Sequence, residues 1–271
     1  MLNAPLGKRG EKLLKQFIQS QYMELAAAVR FLSVLPVPGS AQLFDKNEIA
    51  PSLVIGCEYF PLVGLLLAVL LWLLVLVLAP LVPQLALAAL LVVALVILTG
   101  GLHLDGLMDS CDGLFGGSTR ERKLEIMDDS HVGSFGVVGG VCIVLLKFAL
   151  LASLRVHTLP LALLLALPSA RWAMVLALRL FPAARPTGLG AAFHQVVTTK
   201  RLVLTAIVAL AIALVAGQFT GLMVWATVSM TTVVLGFLIT RSLGGLTGDT
   251  YGAIEEVAEV AALLALVFVH L

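Results

Sequence analysis

Charge is what this chain has least of. Of its 271 residues only 12% are Asp, Glu, Lys or Arg, about half of the roughly 25% found in soluble globular domains. That shortage excludes nucleic-acid-binding modules and charge-rich disordered chains, and the composition fits neither collagen nor a secreted disulfide scaffold. Cysteine is scarce too: Cys57, Cys111 and Cys142 are odd in number and form no C-x-x-C pair. Neither a disulfide framework nor a thiolate metal site is expected, and the three read as small apolar fillers. The first twenty residues contain Lys8, Arg9, Lys12 and Lys15 but no apolar run, so no cleaved leader is expected and the amino terminus should stay cytoplasmic. What is present in excess is apolar surface. A hydrophobic content of 60% and a mean hydropathy of +1.07 make this an integral membrane protein.

A bilayer core of about 30 Å takes about 20 apolar residues per helix. Runs of that kind predict spans near 60–79, 84–102, 134–154, 161–181, 202–217, 222–240 and 254–271. Pro80 and Pro83 divide the first two; Gly217 to Gly221 divides the fifth from the sixth. The expected fold is therefore an all-α polytopic membrane helix bundle of about seven transmembrane helices. Residues 22–38 are apolar but too short to cross, and read as an interfacial helix with Arg30 at headgroup level. On this division residues 1–59 form a cytoplasmic or interfacial segment and residues 60–271 the catalytic membrane domain. Arg120, Arg122, Lys123, Arg185, Lys200, Arg201 and Arg241 all fall in loops on the amino-terminal side, whereas the opposite turns hold only Arg155, the bias expected of the cytoplasmic face.

In so apolar a chain the acids are informative by position. The densest stretch, residues 100–113, carries Asp105, Asp109 and Asp112 at about 0°, 40° and −20° around a helix, one narrow face. Three carboxylates aimed at one place need a divalent cation or several bases, and all-oxygen ligation selects a hard ion such as Mg²⁺ or Mn²⁺. Metal-assisted phosphate chemistry is the favoured reading, with these three as metal ligands, over a merely solvated helix end. Ser118 to Glu121 then reads as a capping box opening a short surface helix. It ends at Asp128 and Asp129, either of which re-enters the same face; His131 beside them reads as an interfacial hydrogen-bonding residue. A third cluster, residues 244–259, holds Asp249, Glu256 and Glu259 on one side, with Glu255 turned about 100° from Glu256. Arg171 and Arg179 are candidates to pair with these glutamates, or to bind substrate phosphates. Lys147 reads as a member of a buried pair. The 184–194 loop, with Arg185, suits a phosphate or a plain turn equally.

The stretch Gly-Gly-Leu-His-Leu-Asp-Gly-Leu-Met-Asp-Ser-Cys-Asp-Gly-Leu at 100–114 resembles the signature of the adenosylcobinamide-GDP ribazoletransferases, or cobalamin (5′-phosphate) synthases. Arg30-Phe31-Leu32, Phe60-Pro61-Leu62-Val63-Gly64, Ile126-Met127-Asp128-Asp129-Ser130, Gly188-Leu189-Gly190 and Leu246-Thr247-Gly248-Asp249 with Glu256 and Glu259 are similar to that family in the same order. The chain departs from the pattern at Met108, where small residues are usual, and at Asp128, where a base is common, so Asp129 is the position carried over. The resemblance implies that the 3′-hydroxyl of α-ribazole, or of its 5′-phosphate, attacks the cobinamide-side phosphate of adenosylcobinamide-GDP and expels GMP. It also implies a Mg²⁺ requirement and a site facing the cytoplasm at the cytoplasmic (inner) membrane. On this view Asp105, Asp109, Asp112 and Asp129 are catalytic, with Asp112 or Asp129 the candidate base, and Arg30, His103, Arg171, Asp249, Glu256 and Glu259 bind substrate.

Two rival readings compete with this expectation. CDP-alcohol phosphotransferases also use membrane-edge aspartates, but their pattern has an Ala-Arg after the acids that is missing here. A cation-coupled transporter would use Glu256 and Glu259 as ion carriers, yet no internal repeat or paired broken helix accompanies them.

Overall fold

The computed structural model describes residues 6–38 and 56–270. Ten helices follow in order: α1 (Leu6–Leu32), α2 (Phe60–Leu78, preceded by the 3₁₀ turn Cys57–Tyr59), α3 (Gln84–Thr99), α4 (Leu102–Gly116), α5 (Arg120–Met127), α6 (Ser134–Ser153), α7 (Leu159–Leu180), α8 (Leu189–Val196), α9 (Thr199–Leu243) and α10 (Gly248–His270). Among the described residues the only β pairing is one isolated bridge, Ala183 with Leu246. The fold is all-α, as expected of a polytopic bundle. The expected boundary at 59/60 falls between the 3₁₀ turn and α2, and residues 39–55 of the amino-terminal segment lie outside the described residues.

Among the described residues four helical stretches are long and apolar enough to cross a bilayer, Cys57–Leu78, Ser134–Ser153, Val156–Leu180 and Thr199–Leu243, with a fifth if α3 and α4 count as one bent pair. The difference from the expected seven has three physical sources. The sixteen residues of α3 reach about 24 Å at 1.5 Å each, short of the bilayer core. Three glutamates within α10 lower its apolar character. Two predicted spans are continuous in α9, whose backbone breaks at Gln218 with φ 49° and ψ −124°. There the chain turns back on itself: a Cβ on Gly221 would lie 1.8 Å from the carbonyl oxygen of Ala213, whereas residues eight apart in an unbroken helix stand about 12 Å apart. The break expected between Gly217 and Gly221 is thus present.

α7 occupies the centre. Of its crossing window 89% is buried, against 17–39% for the other three, because α2, α9 and α10 all pack on it. Gly64 of α2 permits one of these contacts, since a Cβ there would sit 2.5 Å from the Leu167 carbonyl oxygen. The amino-terminal helix differs from expectation. It begins at Leu6 rather than near residue 22, and its last turns, Ala26 to Val29 and Leu32, are buried in the protein core rather than lying at the interface.

Between α3 and α4 the chain bends by 91°. Gly100 at φ 64° and Gly101 at φ 71° make the corner, two successive left-handed positions that side-chain-bearing residues rarely adopt. α4 therefore leaves the direction of α3 and packs against α6 and α10, outside the four crossing stretches. α5 closes beneath it, capped by Thr119, whose hydroxyl accepts the Arg122 amide at 3.2 Å; the cap is Thr119 rather than the expected Ser118.

Candidate active site

A cavity of about 390 Å³ opens where α4, the end of α5, the 183–190 segment and the start of α10 meet. Its walls come together through small residues. A Cβ on Gly106 would lie 2.8 Å from the Asp249 carbonyl oxygen, and one on Gly252 3.1 Å from that of His103, so α4 and α10 touch backbone to backbone. The 182–184 and 244–246 segments are zipped by two bonds of 2.8 Å, Ala184 amide to Leu246 carbonyl and Leu246 amide to Pro182 carbonyl. Arg120 clamps the same corner, donating to the carbonyls of Leu243 at 2.7 Å and Ala184 at 2.8 Å. Lys123 donates to Ser242 at 2.7 Å. Two members of the basic trio on α5 are thereby committed to architecture, and the third, Arg122, pairs with Glu125 at 2.7 Å.

Three carboxylate residues line this cavity: Asp105, Asp128 and Asp249. Asp249 sits in the first turn of α10, where the Thr247 amide donates to Thr250 Oγ1 at 2.8 Å and the Thr250 amide returns to Thr247 Oγ1 at 3.3 Å, a reciprocal cap that fixes the helix start. One turn on from Asp105, Asp109 is partly buried; burial first, then the charges of Asp105, Asp249 and Asp112, push its carboxyl up to about 6. Asp249 is thereby brought beside the first aspartate cluster.

Asp112 does something else. Its carboxylate accepts the amides of Gly133 at 2.7 Å and Gly136 at 2.8 Å, capping the start of α6 from another helix. Both glycines are required, because a Cβ at either would lie within 2.4 Å of an Asp112 oxygen. The helical spacing is as expected, but α6 draws this carboxylate into a structural bond. Asp129 is corrected as well. It points to solvent and binds His131 Nδ1 at 2.6 Å, while its neighbour Asp128 lines the cavity and pairs with Arg185 at 2.5 Å. Hydrogen bonding to Asp129 raises the His131 imidazole above its ordinary value and lowers the Asp129 carboxyl.

The glutamates of α10 are corrected in turn. Glu256 pairs with Lys147 at 2.7 Å, and Glu259 pairs with both Lys147 and Arg171. Glu255, one turn before Glu259 and sharing its Arg171, meets that arginine at 2.5 Å and His103 Nδ1 at 3.2 Å. All six side chains are buried. Arg171, His103, Glu256 and Glu259 are thus members of an internal ion network rather than free to bind substrate, although His103 contributes to the cavity wall from above it. Arg179 takes no part and donates to Thr199. Arg30 is half-buried at the end of α1 and outside the cavity lining; its neighbour Phe31 lines it instead.

A family model described as cobalamin-5-phosphate synthase matches residues 24–267. The chain belongs to the cobalamin-5-phosphate synthase family. Curated relatives in this family are named adenosylcobinamide-GDP ribazoletransferase. One from Desulfitobacterium hafniense is 40% identical over 89% of this chain and 95% of its own; one from Roseiflexus is 41% identical over 90% and 89%; one from Pseudomonas fluorescens is 43% identical over 88% and 96%. No solved structure matches.

Among the described residues no three His, Cys, Asp or Glu side chains gather as a group that could hold a metal ion. Mg²⁺ seldom uses such a protein cage; it is commonly held by one or two carboxylates and completed by substrate phosphates and water. Asp105 and Asp249, two all-oxygen donors lining one cavity, fit that mode. Asp128 takes the place expected of Asp129. Arg185 and Glu255 join these clusters without a decisive signal in the sequence, since the 184–194 loop suits a plain turn equally and Glu255 projects about 100° from Glu256.

Proposed function

We propose that this chain catalyses the joining of adenosylcobinamide-GDP to α-ribazole, or to its 5′-phosphate, with release of GMP, at the cytoplasmic membrane. The observation that carries the reading is the pairing of family membership with a cavity that Asp105 and Asp249 line from two helices, with Arg185 the one permanently charged base among the described lining residues. Phosphoryl transfer requires above all positioning and neutralisation of charge. Asp105 and Asp249 would hold Mg²⁺, which when bound neutralises the diphosphate and the departing GMP. Asp109 stands one turn from Asp105 on α4, and is the carboxylate placed to accept the proton of the ribazole hydroxyl beside the ion. Asp112 is committed to α6, and Asp129 faces away from the cavity. Loop charge supports a cytoplasm-facing site, with Arg185 on the same side as Arg120.

The transporter alternative loses its carriers, since Glu256 and Glu259 are already neutralised by Lys147 and Arg171. Purified protein should release GMP from adenosylcobinamide-GDP only when ribazole and Mg²⁺ are both supplied. Absence of GMP under those conditions overturns the reading. Labelling of cysteines placed at Ser118 and Thr247 by an impermeant reagent, expected from the cytoplasmic face alone, tests the orientation.

A further inference from the structure

The lining of the cavity is unbalanced. Asp105, Asp128 and Asp249 contribute three carboxylates, while among the described lining residues the one permanently charged base is Arg185. A nucleoside diphosphate ester brings further negative charge into this space, so it needs a cation that can turn from the protein to the ligand. Arg185 is built for such a turn. One end of its guanidinium is anchored, Nη2 donating to the Leu124 carbonyl at 2.8 Å in the last turns of α5. The other end, Nη1, meets Asp128 Oδ1 at 2.5 Å. That partner is held loosely: the Asp128 side chain is 64% exposed, against 31% for Arg185. Asp128 is the C-cap of α5, its amide bonded back to the Leu124 and Glu125 carbonyls, so the backbone is fixed while the carboxylate remains free to rotate into solvent. An exposed ion pair contributes little net stability, and a phosphate oxygen offers guanidinium a geometry at least as favourable as a carboxylate.

We infer that Arg185 binds the diphosphate of the nucleotide-linked substrate by exchanging Asp128 for a phosphate oxygen, with Asp128 serving as the placeholder that keeps the guanidinium aimed into the cavity before substrate arrives. The Leu124 bond persists through the exchange and sets the reach of the fork. Unphosphorylated α-ribazole, which offers no phosphate oxygen, is not read by this residue. The inference rests on the transferase reading above, and it identifies which protein group distinguishes the diphosphate substrate from its acceptor.

The test is steady-state kinetics on the full-length purified protein, with GDP binding in the presence of Mg²⁺ as a second readout. Arg185→Lys keeps the charge but loses the planar fork, and should raise KM for adenosylcobinamide-GDP and weaken GDP about tenfold, with KM for ribazole unchanged. Arg185→Met should exceed that effect. Asp128→Asn removes the competing charge while leaving the Leu124 anchor, and should lower KM for adenosylcobinamide-GDP about threefold. No GMP release by the wild-type protein would defeat the transferase reading itself. Release by the wild type with KM for the diphosphate substrate unchanged in Arg185→Lys would defeat only this inference. So would a parallel rise in both KM values with a lowered unfolding temperature, the mark of a purely structural tie to α5, or an unchanged or raised KM in Asp128→Asn.

Discussion

Less than two turns of α10 separate two groups of acids that the rest of the chain treats in opposite ways. Glu255, Glu256 and Glu259 face Lys147, Arg171 and His103, so three carboxylates meet three basic groups inside the bundle. Asp249 faces Asp105 across a cavity, with Asp128 and a single arginine on the far wall. Acids that must be buried are neutralised by the protein; under the proposed function, Asp105 and Asp249 would be neutralised by the ion that arrives with the substrate. The distinction lies in the partners and not in the acids themselves, which is why the helical spacing of Asp249, Glu256 and Glu259 joined them into one cluster.

The comparison breaks most visibly at the buried end. Replacing Arg171 by Met removes the cation shared by Glu255 and Glu259 and should cost at least about 3 kcal/mol, read as a large fall in unfolding temperature in detergent or failure to accumulate in the membrane. At the open end the sign of the experiment reverses. Asp105→Asn removes charge repulsion together with a ligand, so it should leave the unfolding temperature unchanged while lowering turnover at least about a hundredfold. Asp112→Asn sharpens the contrast from a third position: it weakens the remote cap of α6, costing about 1–2 kcal/mol in thermal unfolding, and lowers turnover less than Asp105→Asn does. Asp129→Asn should change turnover by less than about twofold. Its visible effect is on His131, whose imidazole titration, followed by NMR, should move down toward its ordinary value once the carboxylate that stabilises the charged ring is gone.

Local periodicity made much of this legible before any coordinates. The shared face of Asp105, Asp109 and Asp112 follows from 3.6 residues per turn; the corner before it does not, because the apolar run of the expected second span continues through Gly100 and Gly101. The buried status of Lys147 follows from a charge within an apolar run. What the pattern could not contain is which neighbour claims each side chain. Asp112 belongs to α6 because Gly133 and Gly136 present bare amides to it, a tertiary accident of how α4 crosses that helix. Glu255 is interior because α10 is enclosed by α4, α6, α7 and α9, so its buried face is wider than the stripe shared by Asp249 and Glu256, and an argument from that stripe drops it. Asp128 and Asp129 are adjacent in sequence, and only the bond to Arg185 separates the one that lines the cavity from the one that does not.

The claim that the two acid groups serve different ends is tested most directly by metal binding. Mn²⁺ in place of Mg²⁺, followed by electron paramagnetic resonance on the purified protein with GDP, should show a bound ion that depends on GDP and is lost in the Asp105→Asn, Asp249→Asn double variant but kept in Asp129→Asn. GDP-dependent Mn²⁺ binding that survives the double variant would contradict the account, because the cavity carboxylates would then not be the acids that hold the ion.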